Sequence, residues 1–248
     1  MKNEFQKKIT ELCGEGHRLF FYDETDSTNR RAMEHIRSGD AVGGEVFIAR
    51  KQSGGKGTRG RSFFSEGGLY MSIILRSGDT ERQNTTQLAA VCVCRALNSL
   101  YSTDCKIKWV NDIKLCGKKL CGILCEGCIM LGESKPKFTV VGIGINTNVK
   151  EFPEEISNIA TSLYLYGIKE ADNALLAAKI IYELEKAEGD IIAEYRNRCE
   201  TLGKDISVSD ISGSVTHGHA IDISADGALI LKTEFGIKRI IHGDVFTS

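Results

Sequence analysis

Between residues 50 and 75 a glycine- and arginine-rich segment lies between two apolar runs, and it limits the fold more than any other stretch. Upstream, Glu45-Val-Phe-Ile-Ala-Arg50 reads as a strand, and downstream Leu69-Tyr-Met-Ser-Ile-Ile-Leu75 reads as another. Glycines 54, 55, 57, 60, 67 and 68 lie in or beside the connection, so its backbone takes positive φ or approaches something closely. Amides in such a loop can form an anion-binding nest, and Lys56, Arg59 and Arg61 add positive charge. The expectation is a loop that closes over a carboxylate or a phosphate; a flexible surface hairpin is the bland alternative.

Nucleotide fingerprints compete for the same residues. Gly55-Lys-Gly57-Thr-Arg-Gly60 fits G-x-G-x-x-G, and Gly55 to Ser62 fits G-x-x-x-x-G-K-S except that Arg61 stands in the lysine place. Both motifs need a helix after the loop. Here β-branched and aromatic residues follow, so the context is strand–loop–strand. A protein kinase has that context, but the chain has no H-R-D or D-F-G and is short for one.

Composition excludes several classes. With 42% hydrophobic and 26% charged residues over 248 positions, the chain can bury a sizeable core as a soluble globular protein. A net charge of −1 gives no global field toward nucleic acid or an anionic membrane. No run reaches membrane-spanning length, and the first residues lack a signal-peptide core. Nine cysteines without such a signal point to reduced thiols in the cytoplasm.

In chain order, Phe5, Ile9, Leu12 and Cys13 mark one face of a helix over 3–13, and Leu19 to Tyr22 is a strand. Asp26-Ser-Thr-Asn29 opens a helix that Gly39 stops. Its hydroxyls either cap the helix or hold a polar ligand group. A helix follows over Thr85–Tyr101, then a short strand Lys106–Trp109. Leu120–Cys125 and Lys137–Ile145 read as paired strands joined by a turn over Gly132–Pro136. Asn173 to Cys199 is helical with a break near Gly189. From Gly203 short alternating runs (Ile206–Val208, Ala220–Ile223, Ala228–Leu231, Lys238–Ile241) separated by Gly, Asp and Ser mark a small all-β unit that leans on the rest. The division is 1–202 and 203–248.

Three stretches carry chemistry. Lys108-Trp-Val-Asn-Asp112 ends a strand with an amide and a carboxylate, and Asp112 is a hard oxygen ligand suited to Mg²⁺ held with substrate phosphates, or else a turn residue. Lys119-Leu-Cys-Gly122 sets a lysine near a glycine, at close range for a substrate carboxylate or simply solvated. In Val141-Gly-Ile-Gly-Ile-Asn146 the glycines share one strand face. They leave a flat floor for a planar ring, or merely allow close strand packing.

Taken in order, Asp26-Ser-Thr-Asn29, the Gly55–Arg61 loop, Lys108-Trp-Val-Asn-Asp-Ile113, Lys119-Leu-Cys-Gly-Ile-Leu124 and Gly142-Ile-Gly-Ile-Asn146 resemble the biotin–protein ligases, and the final Gly243-Asp-Val resembles the end of that family's C-terminal domain. The resemblance covers nearly the whole chain. It implies an α+β fold: a mixed-sheet catalytic domain like those of class II aminoacyl-tRNA synthetases, followed by a small SH3-like barrel. It also implies ATP-dependent attachment of biotin, through biotinyl-AMP, to a lysine of the acceptor domain of a biotin-dependent carboxylase, with Mg²⁺ as cofactor.

By the same resemblance Ser27, Thr28, Asn29 and Gln52 hold the biotin ureido and its neighbours. Lys56 and the backbone of Gly55 and Gly57 lie over the carboxylate and α-phosphate, and Thr58 of the same loop counts among the biotin-binding residues. Lys119 and Lys56 act catalytically, and Gly122 and Gly142 floor the pocket. Arg59, Arg61, Lys108, Trp109, Asn111, Asp112 and Asn146 serve ATP, with Asp112 as the metal ligand. Two residues depart from the family: Val110 stands where proline is usual, and Thr58 where arginine is usual in the loop that retains the intermediate.

Other chemistries use some of these residues. Cys121-x-x-x-Cys125-x-x-Cys128, with Cys116 nearby, has the spacing of an iron–sulfur site, but on a strand Cys121 and Cys125 face one side and Cys128 the other. Lipoate–protein ligase shares the architecture but is not expected to carry this loop or the Lys108 block. A biotin-sensing repressor adds an N-terminal DNA-binding unit, for which the Asp26 block starts too early, so the expectation is the monofunctional type without nucleic-acid binding. A homodimer stays open, since edge-strand dimers leave no motif.

Overall fold

The computed structural model describes residues 4–14, 16–76, 84–129 and 135–247. The turn expected over Gly132–Pro136 falls largely outside them. In order, the elements are α1 Glu4–Cys13, β1 Leu19–Thr25, α2 Thr28–Arg37, β2 Val46–Gln52, β3 Leu69–Arg76, α3 Thr85–Tyr101, β4 Lys106–Lys108, β5 Asp112–Leu115, β6 Lys118–Cys128 and β7 Phe138–Ile145. Then come α4 Glu154–Ser157, α5 Leu163–Tyr166, α6 Asn173–Lys186 and α7 Ile191–Arg198. The chain ends in β8 Asp205–Ser209, β9 Val215–Ile223, β10 Leu229–Thr233, β11 Gly236–Ile240 and β12 Asp244–Thr247.

Among the described residues β1 to β7 form a seven-stranded sheet in the order β1-β2-β3-β7-β6-β5-β4. The β1–β2 pair is parallel and the others antiparallel, so the sheet is mixed as expected. Strand alternation decides its two faces. On β3 and β7, Leu69, Met71, Ile73, Val141, Ile143 and Ile145 pack into the main core with α3 and α6. Phe47, Ile74, Phe138 and Val140 point the other way, onto Ala32 and Ile36 of α2. α2 covers only part of that second face. Further along it, the outward positions are Ser72, Gly142, Gly144 and Gly122, too small to fill the space, and there the cavity lies.

The C-terminal residues form a five-stranded antiparallel sheet in the order β11-β10-β9-β8-β12. The alternating runs locate four of these strands. β12 is too short to show a period of its own and is held by its pairing with β8. The unit leans on the larger body: the carbonyl of Gly227 accepts from Trp109 Nε1 and from Gln87 Nε2, each at 3.1 Å. Trp109, expected beside the nucleotide, is 2% exposed and packs in the core. Lys108 faces the cavity, and alternation turns the next side chain away.

Candidate functional site

A cavity of about 370 Å³ opens above the glycine positions of β6 and β7. Its floor follows from strand register. Asp112 on β5 pairs with Gly122 on β6, Gly122 with Gly144 on β7, and Leu124 with Gly142, which pairs with Ser72 on β3. A Cβ on Gly142 would stand 2.1 Å from Asn29 Oδ1, and one on Gly144 would stand 2.6 Å from the Phe63 ring. The expected flat floor is therefore present, but Phe63 of the chain's own loop lies across Gly144 and Gly122.

The start of α2 forms one end. Ser27 holds the N-cap position without a side-chain capping bond, so capping does not account for this hydroxyl. Asp26 fixes the entry. Burial raises its pKa, but bonds from Arg30, the Ser27 amide, Arg31 and Thr25 outweigh that and hold the carboxyl well below the usual range. Thr28 donates through its amide (2.8 Å) and hydroxyl (3.1 Å) to Gln52 Oε1, and Gln52 Nε2 donates to Ser65 Oγ. Ser72, fully buried, has its Oγ 2.7 Å from Thr28 Oγ1 and 2.6 Å from Asn29 Oδ1. Asn29 Nδ2 donates to Glu126 Oε2 at 2.7 Å. A buried polar web of this kind fixes its rotamers. With so much of its amide committed, Gln52 positions Thr28 at least as much as it faces the cavity.

Charge gathers at the other end. Lys119 Nζ lies 2.6 Å from Asp112 Oδ1 and 5.7 Å from the Phe63 ring centroid. Burial pushes the Lys108 ammonium pKa down; Asp112 opposes this, and Lys114 and Lys119 add to it. Asn111 Nδ2 donates to Ile123 O at 2.7 Å, which ties the Asn111–Asp112 corner to β6. Asn146 Nδ2 donates to Thr161 O, while its Oδ1 is buried with no partner. The open atom of Asn146 is thus an acceptor. It suits a hydroxyl, an ammonium or a cation better than the bare phosphate oxygens expected there.

Of the residues expected to bind substrate, Ser27, Thr28, Asn29, Gln52, Lys56, Gly57, Thr58, Lys119, Gly122 and Gly142 line the cavity, as do Arg61, Lys108, Asn111, Asp112 and Asn146. Gly55, Arg59 and Trp109 do not. Gly55 is a packing position: a Cβ there would lie 2.5 Å from Ser65 Oγ. Arg59 has a left-handed backbone (φ 59°, ψ 27°) and points to the C-terminal sheet, where it pairs with Asp244 at 2.9 Å. At Thr58 the hydroxyl accepts from Arg61 Nη2 at 2.9 Å, so a neighbouring arginine already occupies this part of the loop.

The wall built by Phe63, Phe64, Phe152, Ile156, Ile159 and Ala160 was not read from the sequence. Phe64 and Phe152 meet edge to face at 5.7 Å. Paired aromatics just after an arginine-rich loop were the one available signal. The cysteines of the iron–sulfur alternative lie on continuous strand β6. Burial pushes Cys125 up to about 11 and Cys121 well above its ordinary value, so both are thiols.

Such a cavity, basic and polar at its ends, glycine-floored and roofed by a glycine-rich loop, belongs to a carboxylate-activating ligase. Residues 21–146 match the model of the biotin/lipoate A/B protein ligase family, and residues 201–247 match the biotin protein ligase C-terminal domain. The chain is 32% identical to the bifunctional ligase/repressor BirA of Bacillus spizizenii, over 93% of this chain and 74% of that one. It is 30% identical to the biotin–[acetyl-CoA-carboxylase] ligase of Mycobacterium tuberculosis, over 90% and 86%. The biotin protein ligase of Aquifex aeolicus in complex with biotin and ATP superposes with a TM-score of 0.80 at 28% identity, covering 93% of this chain and 99% of that one. The chain belongs to the biotin protein ligase family.

Proposed function

We infer that the chain is an ATP-dependent ligase that joins biotin to a lysine of a carboxylase acceptor domain through biotinyl-5′-AMP. The observation that carries this most directly is the Lys119–Asp112 pair at the charged end of a glycine-floored cavity. Family membership gives it the partner chemistry. The catalytic unit is taken as 1–202 and the C-terminal unit as 203–248.

A carboxylate does not acylate an amine usefully, because its leaving group is too basic. The biotin carboxylate therefore forms a bond to the α-phosphorus of ATP as the bond to pyrophosphate breaks. Catalysis is mainly positioning and charge stabilisation. Lys119 leaves Asp112 to meet the carboxylate and the α-phosphoryl oxygens, while Lys56 and Arg61 neutralise from the loop and Lys108 from below. Phe63 must lift or slide as the ligand settles on Gly122 and Gly144. The acceptor lysine then attacks the carbonyl of the mixed anhydride, the bond to AMP breaks, and the amine gives up its proton. Its unperturbed pKa is about 10.4, so it must be held as the neutral amine. Between steps the aromatic wall and the loop exclude water.

Asp112 and the unpartnered Asn146 Oδ1 are oxygen donors of the kind Mg²⁺ takes when it is carried largely by nucleotide phosphates. Among the described residues no cluster of three carboxylate, histidine or cysteine side chains could hold a metal alone. Bound there, Mg²⁺ would neutralise phosphate charge. The nine cysteines are free thiols, which agrees with a reducing cytoplasm, and among the described residues no helix is long and apolar enough to cross a membrane. The test is exchange of labelled pyrophosphate into ATP: it should require biotin and fail with lipoate. Exchange with lipoate and not biotin would reassign the substrate.

A further inference from the structure

The Gly243-Asp244-Val245 run has no part in the chemistry so far, yet the loop over the cavity is tied to it. Asp244 opens β12 directly opposite Ser209 of β8. Arg59 Nη1 reaches Asp244 Oδ2 at 2.9 Å and Arg61 Nη2 reaches Oδ1 at 2.7 Å, so each carboxylate oxygen takes one arginine. Arg59 Nη2 also donates to the Ser209 carbonyl. One short stretch of the C-terminal sheet thus receives two charge-assisted hydrogen bonds and a further ion pair from the loop.

The backbone on both sides is shaped for this meeting. Arg59 adopts φ 59° and Gly60 follows at φ 72°, a left-handed pair that turns Arg59 out of the cavity. At Gly243 a Cβ would stand 2.5 Å from Val208 Cγ1 and 3.0 Å from Ser209 O, so only glycine lets β12 start this close to β8. The sheet that presents Asp244 is itself fixed to the catalytic body. Gly227 O holds Trp109 and Gln87, and Ala225 O accepts from Asn84 Nδ2 at 2.6 Å. The loop is therefore anchored at its two strand ends and, in its middle, to a point that moves with the body.

We propose that Asp244 is a positioning residue that latches the glycine-rich loop shut, so that the C-terminal unit sets how long biotinyl-AMP stays bound. The inference rests on the ligase function above. Opening the loop breaks the contacts of both arginines with one carboxylate. Removing that carboxylate leaves Arg59 only a backbone carbonyl and Arg61 only Thr58. If Asp244 merely stabilised the C-terminal sheet, its loss would lower the melting temperature without changing how fast the intermediate escapes.

The experiment is stopped-flow release of preformed biotinyl-AMP from the full chain, with thermal unfolding of every variant alongside. Asp244→Asn is expected to release it about tenfold faster, equivalent to about 1.4 kcal/mol. Arg59→Ala, which changes no residue of the sheet and leaves Arg61 on Asp244, should also speed release, by a smaller factor. The double variant should be slower than the product of the two single effects, because both single changes break the Arg59–Asp244 contact. Added salt should speed release more from the wild type than from the double variant. Release from Arg59→Ala and Asp244→Asn within twofold of wild type overturns the latch while the ligase function stands. A wild type that forms no biotinyl-AMP overturns the ligase function, and the latch with it.

Discussion

Lys119 and Asp112 neutralise each other across 2.6 Å, so an incoming carboxylate exchanges partners with Asp112 instead of meeting a bare charge. Lys119→Gln keeps the length and loses the cation. It should lower pyrophosphate exchange by at least about a hundredfold, the size expected when a preorganised charge is removed, and circular dichroism should show the fold intact. Exchange at the wild-type rate would make Lys119 a solvated hairpin lysine. Lys108 carries a different tension. Burial lowers its folded pKa below 10.5, so between the folded and unfolded values the native state holds fewer protons and stability rises with pH. Below that window the charged form is a burden on the fold. Lys108→Met should therefore raise the melting temperature at neutral pH, by about 2 °C if it returns near 1 kcal/mol, while raising the KM for ATP. A lower melting temperature with unchanged KM would show that Lys108 is a structural ion-pair partner.

Among the elements, β7 defines the site most sharply, because two alternate positions lack side chains. Gly142→Ala would drive a Cβ into Asn29, which is braced by Ser72 and Glu126 and cannot retreat cheaply. Biotin affinity measured by calorimetry should fall at least about tenfold, or 1.4 kcal/mol. Unchanged affinity would mean that this end of the cavity does not hold biotin. Much of this was legible in the sequence, since Gly142-Ile-Gly144 shows period two and Asp26-Ser-Thr-Asn29 sits at a helix start. What the strand period could not show was Phe63 folding back onto that floor, because a ring's resting place depends on a loop path and not on a repeat. The course of Arg59 toward Asp244 was hidden for the same reason: a left-handed turn at a non-glycine residue leaves no local mark. The burial of Trp109 was legible, since alternation from Lys108 turns it inward. β12, four residues long, needed its partner β8 to exist.

At the scale of the molecule two sheets are held as one body by Trp109 and Gln87 on Gly227, by Arg196 on the Ile223 carbonyl and Asp222, and by the arginines on Asp244. Trp109→Phe removes the donor to Gly227 O and leaves a buried carbonyl with one partner fewer, a loss of about 1 kcal/mol. It should lower a single unfolding transition by about 2–4 °C. Two separated transitions in the wild type would show that the sheets unfold independently. The sequence marked where the second unit begins, because the spacing of Gly, Asp and Ser changes from Gly203 onward. It did not mark how that unit is fastened, since the contacts of Trp109, Gln87, Arg59 and Arg61 each join residues more than a hundred positions apart. The central claim is that this cavity activates biotin with ATP, and pyrophosphate exchange tests it most directly. Wild type should return labelled pyrophosphate to ATP only when biotin is present, and Lys119→Gln should not. Exchange without biotin, or equal exchange in both proteins, would contradict it.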